Sequence, residues 1–161
     1  MSSPHMTFGT RLIGQTEKAL SAILESLLSG TDVTPQQWIA LNVTLSQSVV
    51  PASEAADHIA AALKASDPEG RMVLQGLVDR GLVYGADDGT VGVTPEGRQF
   101  HERVQTRVAT ITDRLWGDIP VADLQVAGAV LRTALHRATE ELSVLIADGS
   151  PGMQGHPRPA H

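Results

Sequence analysis

Apolar positions along this chain recur at helical spacing in six stretches, broken once by a short alternating segment. Leu12, Leu20, Ile23, Leu24, Leu27 and Leu28 mark the first helix, and Gly30 follows as a stop. Thr34-Pro35-Gln36-Gln37 opens the second as a capping box, in which the Thr hydroxyl and the Gln side chain satisfy each other's backbone N–H groups. Val73, Leu74, Leu77 and Val78 line the fourth, which Asp67-Pro68 starts and Gly81 stops. Phe100, Val104, Val108, Ile111 and Leu115 form the stripe of the fifth. In the sixth, Leu124, Gly128, Leu131, Leu135, Ala138, Leu142 and Leu145 alternate by four and three, a seam that faces one partner along its length. The pattern predicts helices over 7–29, 35–47, 52–65, 68–80, 95–116 and 120–147. Every proline between Gly30 and Ser150 sits at or near one of these starts.

Between the fourth and fifth helices, Leu82-Val83-Tyr84 and Thr90-Val91-Gly92-Val93 flank the turn-rich run Gly85-Ala86-Asp87-Asp88-Gly89, which reads as a β-hairpin. A helix running into a two-stranded wing is the working end of a winged helix-turn-helix and points to DNA. The expected fold is mainly α with a small β-hairpin wing: a winged helix-turn-helix of six helices. The 161-residue length suits one domain with a real core, and at 3% aromatic that core must be built from Leu, Val, Ile and Ala. Residues 1–6 are set aside as tag-like, and 149–161, aperiodic and rich in breakers, read as a disordered tail. No apolar run reaches membrane-spanning length and no signal pattern opens the chain, so a cytoplasmic protein is expected. The absence of cysteine excludes disulfides and catalytic thiols. No nucleophile elbow, Walker loop or dinucleotide fingerprint is present, so no enzyme is expected.

Three segments in order are more specific: Thr34-Pro35-Gln36-Gln37-Trp38-Ile39-Ala40-Leu41, Leu77-Val78-Asp79-Arg80-Gly81-Leu82-Val83, and Val93-Thr94-Pro95-Glu96-Gly97-Arg98. With the helix and hairpin order they resemble the MarR family of bacterial transcription regulators, in an actinobacterial-type form with a short acidic wing. The resemblance covers about Phe8 to Leu145. It implies one domain over 7–148, with a DNA-binding lobe over 52–94 and dimerisation helices over 7–30 and 95–147. It implies an intertwined homodimer through the terminal helices, with Leu12, Leu20, Leu124, Leu131, Leu135 and Leu142 as candidate interface residues. The unusually apolar terminal helices point to a dimer independently, since uncovered stripes of that size mark interfaces. The resemblance further implies that helices three and four form the helix-turn-helix, and that a small organic ligand between the lobes tunes affinity for double-stranded DNA, most simply as a repressor.

Arg71 and Gln75 stand one turn apart on helix four, where Arg can pair with guanine and Gln with adenine. Ser66 before that helix, Lys64 and Thr90 on the wing are further DNA-contact candidates; Ser66 serves equally as a local cap. Trp38 matches a family position facing the region between lobes, and Arg11, His58 and His101 are candidate polar contacts to an anionic ligand there. Filling core positions is the commoner fate of such residues, and Trp38 and Trp116 are read that way first. His136 and Glu140 have i, i+4 spacing, but no third ligand is visible, so no metal and no cofactor is expected. Arg98 and Glu102 are expected to pair at i, i+4. Against all this stands the charge. The chain carries −6, and from Ala52 to Thr94 the cations Lys64, Arg71 and Arg80 face Glu54, Asp57, Asp67, Glu69, Asp79, Asp87 and Asp88. DNA binding leans on neutralised phosphates, so the alternative is a MarR-fold ligand-binding or protein-interaction module with lost or weakened DNA binding.

Overall fold

The structure is a computed structural model describing residues 8–85 and 89–148. The tag-like stretch, the acidic tip at Asp87 and Asp88, and the tail after Asp148 lie outside the described residues. The described elements are α1 (Thr10–Leu28), α2 (Pro35–Ser46), β1 (Val50–Pro51), α3 (Ala52–Leu63), α4 (Asp67–Asp79), β2 (Val83–Gly85), β3 (Thr90–Val93), α5 (Pro95–Trp116) and α6 (Val121–Asp148). Residues to Arg114 and those from Leu115 fall into two separate compact units.

The helix starts follow from local chemistry. Thr34 Oγ1 accepts from the Gln37 N–H at 3.2 Å while Gln37 Oε1 accepts from the Thr34 N–H at 3.1 Å, the reciprocal cap its sequence predicts. At α4 the cap is Ser66, not Asp67: the Ser66 N–H and hydroxyl donate to Glu69 Oε2 at 2.8 and 2.7 Å, and Asp67 is the first helical residue. A Ser-x-x-Glu box beats a lone Asp because it ties down both ends of the first turn. Thr94 does two tasks. Its hydroxyl donates to the Gly81 carbonyl at 2.6 Å and accepts from the Gly97 N–H at 3.0 Å, fixing the end of the wing to the start of α5.

The wing holds a strand that periodicity does not reveal. The sheet order is β1-β3-β2, all antiparallel, with Val50 opposite Val91 and Tyr84 opposite Gly92. A two-residue strand has no period to read, and Pro51 within it sits on an edge, where the lost N–H costs no ladder bond. One further expectation fails: Arg98 and Glu102 form no ion pair. Both are exposed, and Arg preceding Glu is the weaker orientation against the helix dipole.

The core of the first unit joins α2, α3, α4 and the sheet to the end of α1 and the start of α5. Leu41, Ile59, Leu77 and Val83 are fully buried at its centre. Burial fades along α5: Phe100 and Val104 are buried, Val108 and Ile111 half-buried, Leu115 exposed. Likewise only Leu27 and Leu28 of α1 are buried, and Leu20 is exposed. No residue of α6 is buried. No helix among the described residues is long and apolar enough to cross a membrane.

Candidate nucleic-acid interface and ligand pocket

The α3–α4 pair is a tight helix-turn-helix. Lys64 ends α3 in the left-handed conformation at φ 53°, its N–H reaching Ala60 and Ala61 carbonyls, and the Ala65 N–H reaches Ala60 O at 2.9 Å. The chain then turns within two residues into the Ser66 cap. Closeness of the helices depends on Gly70, where a Cβ would stand 2.5 Å from the Ala56 carbonyl oxygen and 2.8 Å from the Ala60 Cβ. Leu74 and Leu77 then face the core, while Arg71, Met72, Gln75 and Asp79 are exposed.

Arg71 makes no hydrogen bond or ion pair among the described residues and projects from an exposed position. Gln75 donates from Nε2 to Asp79 Oδ1 at 2.8 Å. Both side chains border a cleft of about 410 Å³ between α4 and the sheet, whose far wall includes Thr90 and Val91. Thr90 is half-buried on β3 opposite Pro51. Lys64 is exposed in the helix-helix turn. Ser66 is exposed too, but its hydroxyl is committed to Glu69, and that bond, with the Ser66 N–H, holds the Glu69 carboxyl below the usual carboxylate range. A phosphate approaching Ser66 would first have to displace a carboxylate.

The ligand candidates separate. Trp38 and His101 meet: their rings stack at 5.0 Å and 14°, and Phe100 meets Trp38 edge-on at 6.3 Å. Trp38 is only 6% exposed, so its face serves as a floor for the half-buried imidazole rather than as open surface. Asn42, not anticipated from sequence, completes the cluster. It donates from Nδ2 to the Trp38 carbonyl at 2.9 Å, which aims Oδ1 at His101 Nε2, 2.8 Å away. His101 therefore donates from Nε2, and in the neutral ring Nδ1 is left as an acceptor. The i, i+4 spacing of Trp38 and Asn42 was the available signal; the pairing with α5 was not. His58 lies elsewhere, on α3, bonded to Gln47 at 2.6 Å just past the C-terminal end of α2. Arg11 is exposed on α1 and has no partner among the described residues. Arg107 Nη1 donates to the Leu27 carbonyl at 2.9 Å, closing the end of α1. Among the described residues no three His, Asp or Glu side chains converge as a metal site, and His136 and Glu140 form an exposed pair at 3.4 Å.

No family model matches the chain, and no curated protein does. Solved structures do. A MarR family transcriptional regulator from Silicibacter pomeroyi DSS aligns at TM-score 0.69 and 18% identity, covering 86% of this chain and 98% of that one. S. aureus MepR, solved as a DNA complex, aligns at TM-score 0.69 and 19% identity over 84% of this chain and 99% of that one. Bordetella bronchiseptica BpsR, whose DNA binding is regulated by 6-hydroxynicotinic acid, aligns at TM-score 0.63 and 20% identity, covering 83% and 98%. The chain thus has the winged-helix fold of MarR-type regulators.

Proposed function

We propose that this protein is a cytoplasmic, homodimeric transcription regulator of the MarR type, a repressor whose affinity for double-stranded DNA is set by a small organic ligand, with no enzymatic role. The observation that carries the reading is α4: an exposed Arg71 and Gln75 share one face of a helix held rigidly by Gly70 and a Ser66–Glu69 cap. In a major groove Arg71 pairs with guanine and Gln75 with adenine, while Lys64 and Thr90 contact the backbone. Ser66 joins them only if Glu69 releases it. The single domain over 7–148 pairs with its copy through α1, α5 and α6, bringing Leu12, Leu20, Leu124, Leu131, Leu135 and Leu142 to the interface. Fold likeness to MepR in its DNA complex and to BpsR supports the DNA and ligand roles by analogy. A flat, polar-edged ligand fits the His101 ring over Trp38, with Asn42 fixing its orientation and Arg11 and His58 as more distant contributors.

The test is selection from randomised duplexes followed by polarisation titrations. The protein should prefer the selected duplex over a scrambled one, and Arg71→Ala should cost about 1–3 kcal/mol of that preference. Equal affinity for both duplexes would refute the reading. One observation favours a second reading, a ligand-binding or interaction module that has lost DNA binding: from Ala52 to Thr94 three cations face seven carboxylates, as enumerated above. Capture of a basic protein by a chain with no DNA preference would establish it.

A further inference from the structure

Met72 is 73% exposed, the highest value of any large apolar residue described, and it stands on α4 beside Arg71. Around the helix, at about 100° per residue, Arg71, Gln75, Pro68, Asp79 and Met72 fall in that order within an arc of about 100°. One edge of the exposed face therefore offers a guanidinium, the other a thioether. Met72 borders a surface groove with Leu63, Ala65 and Val73 but leaves most of its area to water, a poor neighbour for its methylenes. The only apolar group that base pairs display in the major groove is the thymine C5-methyl. Resting on the DNA-reading function proposed above, we infer that Met72 is a specificity-determining residue that packs on a thymine methyl, next to the purines read by Arg71 and Gln75.

Charge strengthens the case. On α4 itself Arg71 is outnumbered by Asp67, Glu69 and Asp79, so phosphate attraction near this helix is weak. Affinity must then draw more on contacts to base edges, and an apolar contact is the one kind that neighbouring carboxylates do not oppose. An unbranched thioether also adapts its shape to the groove at small cost.

The test replaces thymine with deoxyuridine, one position at a time, in a duplex obtained by selection. This deletes a methyl and leaves every hydrogen-bonding group in place. For the wild-type protein at least one replacement should weaken binding roughly fourfold, the worth of one buried methylene. Met72→Ala should bind more weakly and lose that sensitivity, whereas Met72→Leu should retain it. Because the side chain is exposed, both variants should melt with the wild type. Indifference of the wild type to every replacement, or equal sensitivity in Met72→Ala, would overturn the inference while leaving DNA reading intact. Failure to select any duplex would remove the DNA-reading premise and the inference together.

Discussion

At the scale of single residues, two glycines on α4 separate packing from propensity. Gly70 and Gly76 both sit in a helix, where alanine would be favoured by about 1 kcal/mol. A Cβ at position 70 meets backbone, the Ala56 carbonyl at 2.5 Å, and cannot be accommodated without pushing α3 and α4 apart. At position 76 the obstacle is Gln37 Nε2 at 2.6 Å, the far end of a flexible side chain. Gly70→Ala should therefore destabilise by about 1–3 kcal/mol, the usual cost of overpacking, and should spoil the presentation of Arg71. Gly76→Ala should cost less, since propensity offsets part of the movement of Gln37, whose Oε1 also caps the Thr34 N–H. Urea denaturation resolves the two, and equal effects would mean that α3 and α4 are less closely apposed than described.

At the scale of elements, the start of α4 is tied to pH through Glu69. Hydrogen bonds from the Ser66 hydroxyl and N–H favour the ionised carboxylate, so its folded pKa lies below its unfolded one. The stabilisation is thus fully present above the unfolded pKa and disappears as pH falls through the lowered folded value. Glu69→Gln, which keeps an acceptor but does not ionise, should lack this component, so the gap in Tm between wild type and variant should narrow on acidification. Parallel curves would show that the cap contributes nothing through charge. The same element shows what was legible beforehand. Proline and Ser, Thr or Asp punctuation acts within one turn of helix, so the helix order, the wing and the shared face of Arg71 and Gln75 could be read directly from the chain. β1 could not, since two residues carry no period and its pairing with β3 spans some forty positions of sequence. The Trp38–His101 stack and the unusual exposure of Met72 depend on which helix faces which, and periodicity alone is silent about that.

At the scale of the whole molecule, uncovered apolar surface and sparse positive charge make separate demands. Leu131, Leu135, Leu142 and Leu145 are 43%, 61%, 47% and 67% exposed, a stripe a soluble chain rarely leaves bare. Pairing of two copies would bury it, so the protein should sediment as a dimer and Leu135→Glu should shift it toward monomer; a monomeric wild type would refute the dimer. In the proposed dimer the phosphate contacts would double without changing in kind. In each protomer Arg71 is assigned to bases, Arg107 is tied to the Leu27 carbonyl and Arg103 lies over the Phe100 ring at 5.9 Å. Among the described residues that leaves Lys64, Arg80 and Arg98 as the unpaired cations near α4 and the wing, about six phosphates in a dimer, for a log–log salt slope no steeper than roughly −5. Lys64→Gly should flatten it further, because glycine preserves the left-handed cap at φ 53° while removing the charge. Titrations from low to physiological salt measure this directly. A much steeper slope would mean that the carboxylates counted around α4 do not face the duplex and that other basic residues do. A slope near the expected value would leave recognition resting on Arg71, Gln75 and the apolar edge beside them, so that a single wrong base costs this protein a larger share of its binding than it costs a regulator with a basic surface.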